Sequence, residues 1–330
     1  MPPRLTDDST HDAMVRAAIT HAEARAGRNN VAFLKAFRDH FHAARQSATG
    51  HLRMVSPAGA PGGTGASTGP RSFHIFTDPR YLKNARDLAR RTLGGTRVVG
   101  GTTVKAGAFP DCVAVGNDAQ WGCTGTLIAP NVVVTAGHCA DFATRVFFGN
   151  DVSKPGTVVK VKKRVRHPRY HRGKHNDLMV LLLEHAVGQV APRAVAAAKI
   201  IEAATGGRVV GFGATDPSGV FGYGVKRQVD VPIASPACKG QAGGEDDPLA
   251  YGCDRNLELV AGRPLLEQDS CNGDSGGPFY VMGAAGDWLL AAATSRATDS
   301  APHNCGDGGI YVRLDKYRRW IDGIPGVTLP

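Results

Sequence analysis

Residues 269–278 (DSCNGDSGGP) place one serine, Ser275, among three glycines, a composition unsuited to the interior of a helix or a strand. Glycine permits a tight, irregular turn that exposes the serine hydroxyl and directs several backbone N–H groups toward the same point. An acyl-transfer nucleophile needs this combination, because the attacking oxygen must lie beside donors that stabilise the developing oxyanion. Serine alone is a weak nucleophile, so the hypothesis also requires a general base and a group that orients the base.

Candidates for these two partners lie upstream in the sequence. His138 stands in residues 135–139 (TAGHC), directly after an apolar, strand-like run, and Asp177 directly precedes the apolar run 178–183. The run after Asp177 indicates that this carboxylate is buried, as is usual for an acid that fixes the tautomer of an imidazole. Taken alone, His138 has the alternative interpretation of a packed histidine, and Asp177 that of a surface carboxylate.

Four motifs together resemble the trypsin/chymotrypsin family of serine peptidases, in its trypsin-like subgroup. They are VVGG at 98–101, TAGHC at 135–139, NDLMVLLL at 176–183 and GDSGGP at 273–278, in the family's order and with similar spacing. The resemblance implies an all-β domain of two six-stranded antiparallel barrels with a C-terminal helix, and an active site in the cleft between the barrels. It further implies that His138 is the general base, Asp177 its orienting acid and Ser275 the nucleophile, with the N–H groups of Gly273 and Ser275 as the oxyanion hole.

The resemblance also implies the substrate class. Asp269 corresponds to a carboxylate at the floor of the specificity pocket, which pairs with a substrate Arg or Lys in trypsin-like relatives. Gly309 corresponds to a glycine that keeps the wall of this pocket open, and Ser295 to the start of the substrate-binding strand. Relatives have Ser-Trp-Gly there, whereas this chain has Ser-Arg-Ala at 295–297, so we expect altered neighbouring subsites.

The same resemblance predicts synthesis as an inactive precursor. Members of the family become active when they are cleaved before the residue that corresponds to Val98, here after Arg97. The new terminal ammonium then pairs with the aspartate corresponding to Asp274 and fixes the turn around Ser275. Arg97 is itself a suitable residue for the predicted pocket, so self-activation and activation by another protease are both open. The alternative is an ordinary N-terminal domain with an uncleaved junction.

The residues before this junction differ in composition from the rest. Helical periodicity and capping residues predict a helical region over 1–55. Its apolar stripe forms a hairpin core, a face that packs on the protease domain, or a docking groove for a partner. Gly, Pro, Ala, Ser and Thr dominate residues 56–72, which predicts a flexible linker. Residues 73–97 predict a pro-segment helix and the activation junction, and residues 98–330 the protease domain.

Seven cysteines occur in the chain. The resemblance pairs Cys123 with Cys139 and Cys271 with Cys305. Cys238 and Cys253 can close a local loop. Val260 stands where many relatives carry a cysteine, so the bridge of those relatives is expected to be redrawn here, and Cys112 is left over as a buried free thiol. Such bridges favour secretion into an oxidising compartment. The N-terminus shows no apolar secretory signal, so the sequence leaves the localisation open.

Charge and composition limit the possible partners. Residues 1–97 carry 15 Lys and Arg against seven Asp and Glu, so +8 of the net charge of +10 lies there. We interpret this charge as solvated helix faces rather than a nucleic-acid surface, because no nucleic-acid-binding motif is present. No apolar run is long enough for a membrane span.

The expected partners are proteins or peptides with Arg or Lys at the cleavage site. The basic segment 160–166 indicates a solvated strand face, or else an exosite for acidic partners.

No cofactor or metal is expected. His167, His171 and His175 recur every four residues, but Pro168 and Gly173 interrupt the helix that such a metal site would need. Residues 150–156 lack the acidic calcium loop of some relatives.

Two functions compete with a secreted serine endopeptidase: a protease-like binding module without turnover, and an intracellular protease gated by its helical leader. The intact His138, Asp177 and Ser275 set favours an enzyme.

Overall fold

The computed structural model describes residues 101–171, 175–215, 223–242, 245–262, 269–299, 301 and 305–329. The predicted helical region 1–55, the linker 56–72 and the pro-segment 73–97 lie outside the described residues, as do Arg97 and Val98. These assignments therefore stay predictions.

Short strands dominate the described residues. Their bounds are β1 Thr102–Thr103, β2 Cys112–Gly116, β3 Trp121–Ala129, β4 Val132–Thr135, β5 Arg145–Phe148, β6 Thr157–Arg166, β7 Met179–Leu183, β8 Gly206–Gly211, β9 Arg227–Ser235, β10 Gln241–Ala242, β11 Glu245–Asp246, β12 Glu258–Ala261, β13 Pro278–Met282, β14 Trp288–Ala297 and β15 Gly309–Arg313. The α-helices are α1 Ala198–Ala203, α2 Asp247–Tyr251 and α3 Arg318–Asp322, with 3-10 turns at Gly137–Cys139 and Leu314–Lys316. None of the helices in the described part of the chain combines the length and the apolar character that a membrane crossing requires.

The first barrel closes in the order β2-β3-β4-β7-β6-β5, with antiparallel pairing throughout. Its central strands β4 and β7 are buried on both faces. Val133 and Leu181 pack inside this barrel, whereas Val134 and Val180 belong to a cluster that also contains Tyr280 of the second barrel. Burial on both faces explains why these strands appear in the sequence as continuous apolar runs without alternation.

The second barrel contains the strands β9-β12-β15-β14-β13-β8 and closes where β8 pairs with β9. Strand β1 adds to it by pairing with β9, so that Thr102 lies opposite Gln228. The C-terminal helix α3 buries Ile321. The expected architecture of two six-stranded antiparallel barrels followed by a C-terminal helix is confirmed for the described residues.

Three disulfides join elements of these barrels. They are Cys123–Cys139 beside the Gly137–Cys139 turn, Cys238–Cys253 around α2, and Cys271–Cys305 beside the glycine-rich turn. The Cys112 thiol is buried, and this burial raises its pKa well above the usual value. A thiol that stays protonated is a poor nucleophile, so Cys112 is a packing residue.

A buried ionic cluster connects the two barrels. The Arg193 guanidinium, in the connection between them, donates to both carboxylate oxygens of Asp111, at 2.5 and 3.0 Å. The Tyr280 hydroxyl of the second barrel donates to the same carboxylate at 2.6 Å. Asp111 is completely buried just before β2 of the first barrel. The carboxylate is therefore stable only while both neighbours remain in place.

Replacing Arg193 should test the role of this cluster. We expect Arg193→Met to lower the free energy of unfolding by about 3–5 kcal/mol, because it leaves the buried Asp111 charge uncompensated. The control is Arg255→Met, which removes the exposed Arg255–Asp246 pair and should change stability by less than about 1 kcal/mol. Urea denaturation of both variants measures the difference. Equal effects would show that Asp111 does not depend on its partner.

Candidate active site

His138 and Asp177 are joined by two hydrogen bonds. The His138 ring Nδ1 lies 2.8 Å from Asp177 Oδ2, and the His138 backbone N–H donates to Asp177 Oδ1 at 2.9 Å. The Ser295 hydroxyl donates to Asp177 Oδ2 at 2.7 Å. Burial by itself would raise the pKa of Asp177, but the bonds from His138 and Ser295 outweigh it and hold the pKa below its usual value. The carboxylate thus stays ionised, and its contact with Nδ1 leaves Nε2 to exchange protons.

The turn that carries Ser275 has a geometry open only to glycine at two positions. Gly273 has φ +93°, and a Cβ there would lie 2.6 Å from Tyr223 Cε1. Gly276 has φ +79°, and a Cβ there would collide with Thr135 and Ala136. The backbone N–H groups of Gly273 and Ser275 donate to no acceptor among the described residues. Two unused donors beside a serine hydroxyl are what an oxyanion hole requires.

Thr124 attaches this turn to the first barrel. Its backbone N–H donates to the Ser275 carbonyl at 2.9 Å, and its hydroxyl donates to the Gly273 carbonyl at 2.8 Å. The Thr124 carbonyl accepts a bond from the Thr135 hydroxyl at 2.7 Å, at the end of the strand that leads to His138. Sequence reasoning missed Thr124, because a threonine in a buried strand carries no signal of its tertiary partners.

These contacts bring the histidine and serine segments together. Cys139 Sγ lies 3.8 Å from the Ser275 carbonyl oxygen, and the Gly276 backbone packs against Ala136. No direct hydrogen bond between the His138 ring and the Ser275 hydroxyl occurs among the described residues. Such bonds are often long before substrate binds and tighten in the complex.

Asp269 lies buried behind the serine turn. One carboxylate oxygen accepts bonds from the Ser270 N–H and the Tyr311 hydroxyl, both at 2.7 Å, and the other accepts from the Gly308 N–H at 2.9 Å. Burial outweighs these bonds and raises the pKa of Asp269 to about 7. A Cβ on Gly309 would lie 3.0 Å from the carboxylate, so glycine at 309 keeps the space beside it free. Among the described residues, no Lys, Arg or His forms an ion pair with the Asp269 carboxylate.

Asp274 occupies a second buried position. Its carboxylate accepts bonds from the backbone N–H groups of Gly213 at 2.8 Å and Cys271 at 2.9 Å. Burial raises its pKa to about 6, although the nearby Arg227 charge acts in the opposite direction. A small cavity reaches Asp274 and is lined also by Gln228, the residue opposite Thr102 of β1. This cavity therefore lies between the Asp274 carboxylate and Gln228, a residue that pairs with β1.

Arg296 stands where relatives carry a tryptophan. Its two terminal nitrogens donate to the two carboxylate oxygens of Glu258 at 2.7 and 2.8 Å, and one of them also donates to the Gly252 carbonyl at 2.9 Å. Glu258 is buried, which raises its pKa. An ion pair between Arg296 and Glu258 therefore lies next to Ser295, and the altered neighbouring subsite stays a prediction. The sequence signalled the substitution at 296 but not its partner.

Potential metal ligands meet at one point in the described residues. Cys123, His138 and Cys139 place ligand atoms close together, but the two sulfurs are bonded to each other. A disulfide offers no thiolate, so this group does not fit a metal. His175 instead contacts Asp254, with 2.5 Å between Nδ1 and Oδ1.

Comparison with known proteins gives a consistent family assignment. The family described as Trypsin matches residues 98–321. Trypsin of Saccharopolyspora erythraea is 36% identical over 232 residues, which cover 67% of this chain and 94% of that protein. Kallikrein-7 of Homo sapiens is 28% identical over 261 residues, or 76% of this chain and 96% of that protein. The serine proteinase stubble of Drosophila melanogaster is 30% identical over 249 residues, or 68% of this chain and 31% of that protein.

The raised pKa of Asp269 predicts how stability changes with pH. Between its ordinary value of 3.8 and its folded value of about 7, the folded state holds the proton more tightly, so this group's contribution to stability falls as pH rises. We expect Asp269→Asn to be more stable than the wild type at pH 8, on the order of 1–4 kcal/mol, with a much smaller difference at about pH 4.

Denaturation curves at both pH values measure this effect. The exposed Asp141→Asn variant serves as control and should show no such difference. A stability difference for Asp269→Asn that is equal at the two pH values would contradict the assignment of a strained buried carboxylate.

Proposed function

The chain belongs to the trypsin family and is a serine endopeptidase, and from this premise we propose that His138, Asp177 and Ser275 are its catalytic triad. One observation carries the proposal: the ionised Asp177 binds the Nδ1 side of His138, next to the turn of the other barrel that presents Ser275. The histidine is thus held in the tautomer that a general base requires.

The proposed reaction proceeds through an acyl-enzyme. His138 Nε2 takes the Ser275 hydroxyl proton while Oγ attacks the peptide carbonyl carbon, and the Gly273 and Ser275 N–H groups stabilise the resulting oxyanion. The C–N bond then breaks, and His138 gives its proton to the leaving amine. A water molecule, deprotonated by His138, attacks the ester carbon and releases the acid, and the proton returns to Ser275 Oγ. Asp177 stabilises the imidazolium in both halves.

We propose that cleavage follows Arg or Lys. The support is the buried Asp269 carboxylate, which has four hydrogen bonds from uncharged donors and a pKa raised to about 7 by burial. A substrate guanidinium or ammonium would compensate this charge, whereas an apolar side chain would leave it buried and uncompensated. Gly309 leaves room for a long side chain to reach it.

The end of β14 near Ser275 has an unpaired edge to which the backbone of a substrate can bind. Strand β14 pairs with β13 only as far as Ala293, opposite Pro278, while its pairing with β15 continues to Ala297. Among the described strands, residues 295–297 therefore have a neighbour on one side only. An extended peptide can add to the free side, which would place its carbonyl in front of the serine.

We also propose that the enzyme is made as a zymogen and activated between Arg97 and Val98, with residues 1–97 as pro-segment and 98–330 as protease. Residues 98–100 lie between the proposed cleavage site and Gly101, the first described residue, and β1 begins at Thr102. Three extended residues span about 10 Å. The cavity beside Gln228 and Asp274 offers the new ammonium of Val98 a buried carboxylate with a raised pKa.

Removing the nucleophile tests the triad. We expect Ser275→Ala to lower turnover of an arginyl peptide by about 10⁴-fold or more, because no other group in the site can form the acyl-enzyme. The control is Ser153→Ala, an exposed serine of the same domain, which should retain full activity. Steady-state kinetics on folded, purified proteins measures both, and undiminished hydrolysis by Ser275→Ala would remove the assignment.

Blocking the junction tests the zymogen. Arg97→Gln should leave the chain intact and nearly inactive, since Asp274 then lacks the ammonium that orders the turn, while Arg91→Gln should be processed normally. N-terminal sequencing and activity assays on the same samples measure the outcome. An Arg97→Gln protein that is fully active with residues 97 and 98 still joined would refute the activation mechanism.

A further inference from the structure

Arg296 is held beside the proposed catalytic acid by a shift in strand register. The pairing of β14 with β15 shifts between Thr294 and Arg296, so Ser295 is an extra residue on β14. In a regular strand the side chains of neighbouring residues point to opposite faces. Here Arg296 Nη1 lies 3.3 Å from the Ser295 hydroxyl oxygen, although the two residues are adjacent. The guanidinium therefore contacts the group that binds Asp177.

Glu258 fixes the position of this guanidinium. The two terminal nitrogens of Arg296 donate to the two Glu258 carboxylate oxygens, and Nη2 also donates to the Gly252 carbonyl. Together with the contact to Ser295, these bonds give each of the four terminal N–H hydrogens an acceptor. The Glu258 side chain is 1% exposed and the Arg296 side chain 15%. Because Glu258 binds the guanidinium through both nitrogens, the positive charge is held one hydrogen bond away from Asp177.

The direction of the hydrogen bonds at Ser295 follows from the chemistry of its neighbours. A guanidinium can only donate, and an ionised carboxylate can only accept. The Ser295 oxygen therefore accepts from Arg296, and its single hydrogen is donated to Asp177 Oδ2, 2.7 Å away. Arginine does not lose its charge in proteins, so Arg296 remains a donor and the orientation of the hydroxyl does not depend on pH.

The same cluster is connected to the backbone segment that carries Asp177. The Glu258 carboxylate accepts a bond from the Asp254 N–H at 2.7 Å. The Asp254 carboxylate contacts the ring of His175, which lies two residues before Asp177 on the segment that leads into β7. The ion pair between Arg296 and Glu258 thus connects the second barrel both to the side chain of the acid and to the backbone just before it.

We propose that Arg296 is a positioning residue for the catalytic acid, because its bond to Ser295 fixes the hydroxyl that donates to Asp177. The inference rests on the proposed function, since it takes Asp177 as the acid that orients His138. Without Arg296, the Ser295 hydroxyl is free to rotate toward water. Asp177 then loses one of the donors that keep its carboxylate ionised and aligned with the imidazole.

The test removes Arg296 and its buried partner together, because Arg296→Met/Glu258→Gln leaves no unpaired buried charge. With the mature enzyme and an arginyl anilide, we expect kcat to fall about three- to tenfold, the effect of one hydrogen bond, with KM changed less than about twofold. The matched control is Arg208→Met/Asp230→Asn, which removes a half-buried, two-bond ion pair elsewhere in the second barrel and should keep the wild-type kcat. Arg296→Trp, which installs the residue of relatives, replaces the double variant if that protein does not fold.

Two further measurements separate positioning from other roles of Arg296. Diisopropyl fluorophosphate has no peptide part. Its phosphorus bonds to Ser275 Oγ as fluoride leaves and His138 takes the hydroxyl proton, and the rate of this reaction should fall by the same factor as kcat. In a Ser295→Ala background, Arg296→Met/Glu258→Gln should cause no further loss, because the hydroxyl through which Arg296 acts is absent.

The outcomes distinguish the inference from the function on which it rests. A wild type that reacts with neither the anilide nor the fluorophosphate would contradict the proposed function itself. With a reactive wild type, an unchanged kcat in the variant would overturn the inference alone. So would a change in KM without a change in the fluorophosphate rate, which indicates a substrate contact, or an equally large loss in the Ser295→Ala background, which indicates a purely structural role.

Discussion

The proposed active site depends on the hydrogen bonds through which Thr124 holds the Ser275 turn. The histidine and its acid belong to the first barrel and the serine to the second, so their approach is fixed by contacts between barrels and not by either barrel alone. Thr124 supplies two of these contacts, to the carbonyls of Ser275 and Gly273, and its own carbonyl binds Thr135 near His138. Thr124, Thr135 and Gly273 are buried, where an unmade hydrogen bond is costly, and the turn therefore has few alternative positions.

Three buried aspartates in this region differ in what surrounds them. Asp177 receives hydrogen bonds from His138 and Ser295 that lower its pKa, so it is an ionised group already satisfied by the fold. The pKa values of Asp269 and Asp274 are raised by burial to about 7 and about 6, because uncharged donors compensate them incompletely. Such sites are unfavourable for stability and favourable for binding a cation. In the proposed function a substrate side chain binds to one and the new N-terminus to the other.

Much of this arrangement could be predicted from the sequence, because local motifs specify local geometry. The glycines around Ser275 indicated a turn that other residues cannot form, and the apolar runs beside His138 and Asp177 indicated buried strands. The long-range partners could not be predicted. Nothing in the sequence pairs Arg296 with Glu258, 38 residues apart, or Arg193 with Asp111, 82 apart, since such pairs depend on how the barrels close and pack.

The most direct measurement of the central claim is covalent labelling by a fluorophosphonate, followed by peptide mass spectrometry. The reagent reacts with a serine only where a base activates the hydroxyl and donors stabilise the phosphonyl oxygen. We predict a single adduct on Ser275 in the protein whose chain begins at Val98, and loss of this adduct in His138→Ala. Labelling at another residue, or labelling of Ser275 that is equally fast in His138→Ala, would contradict the proposal that these residues act as one catalytic unit.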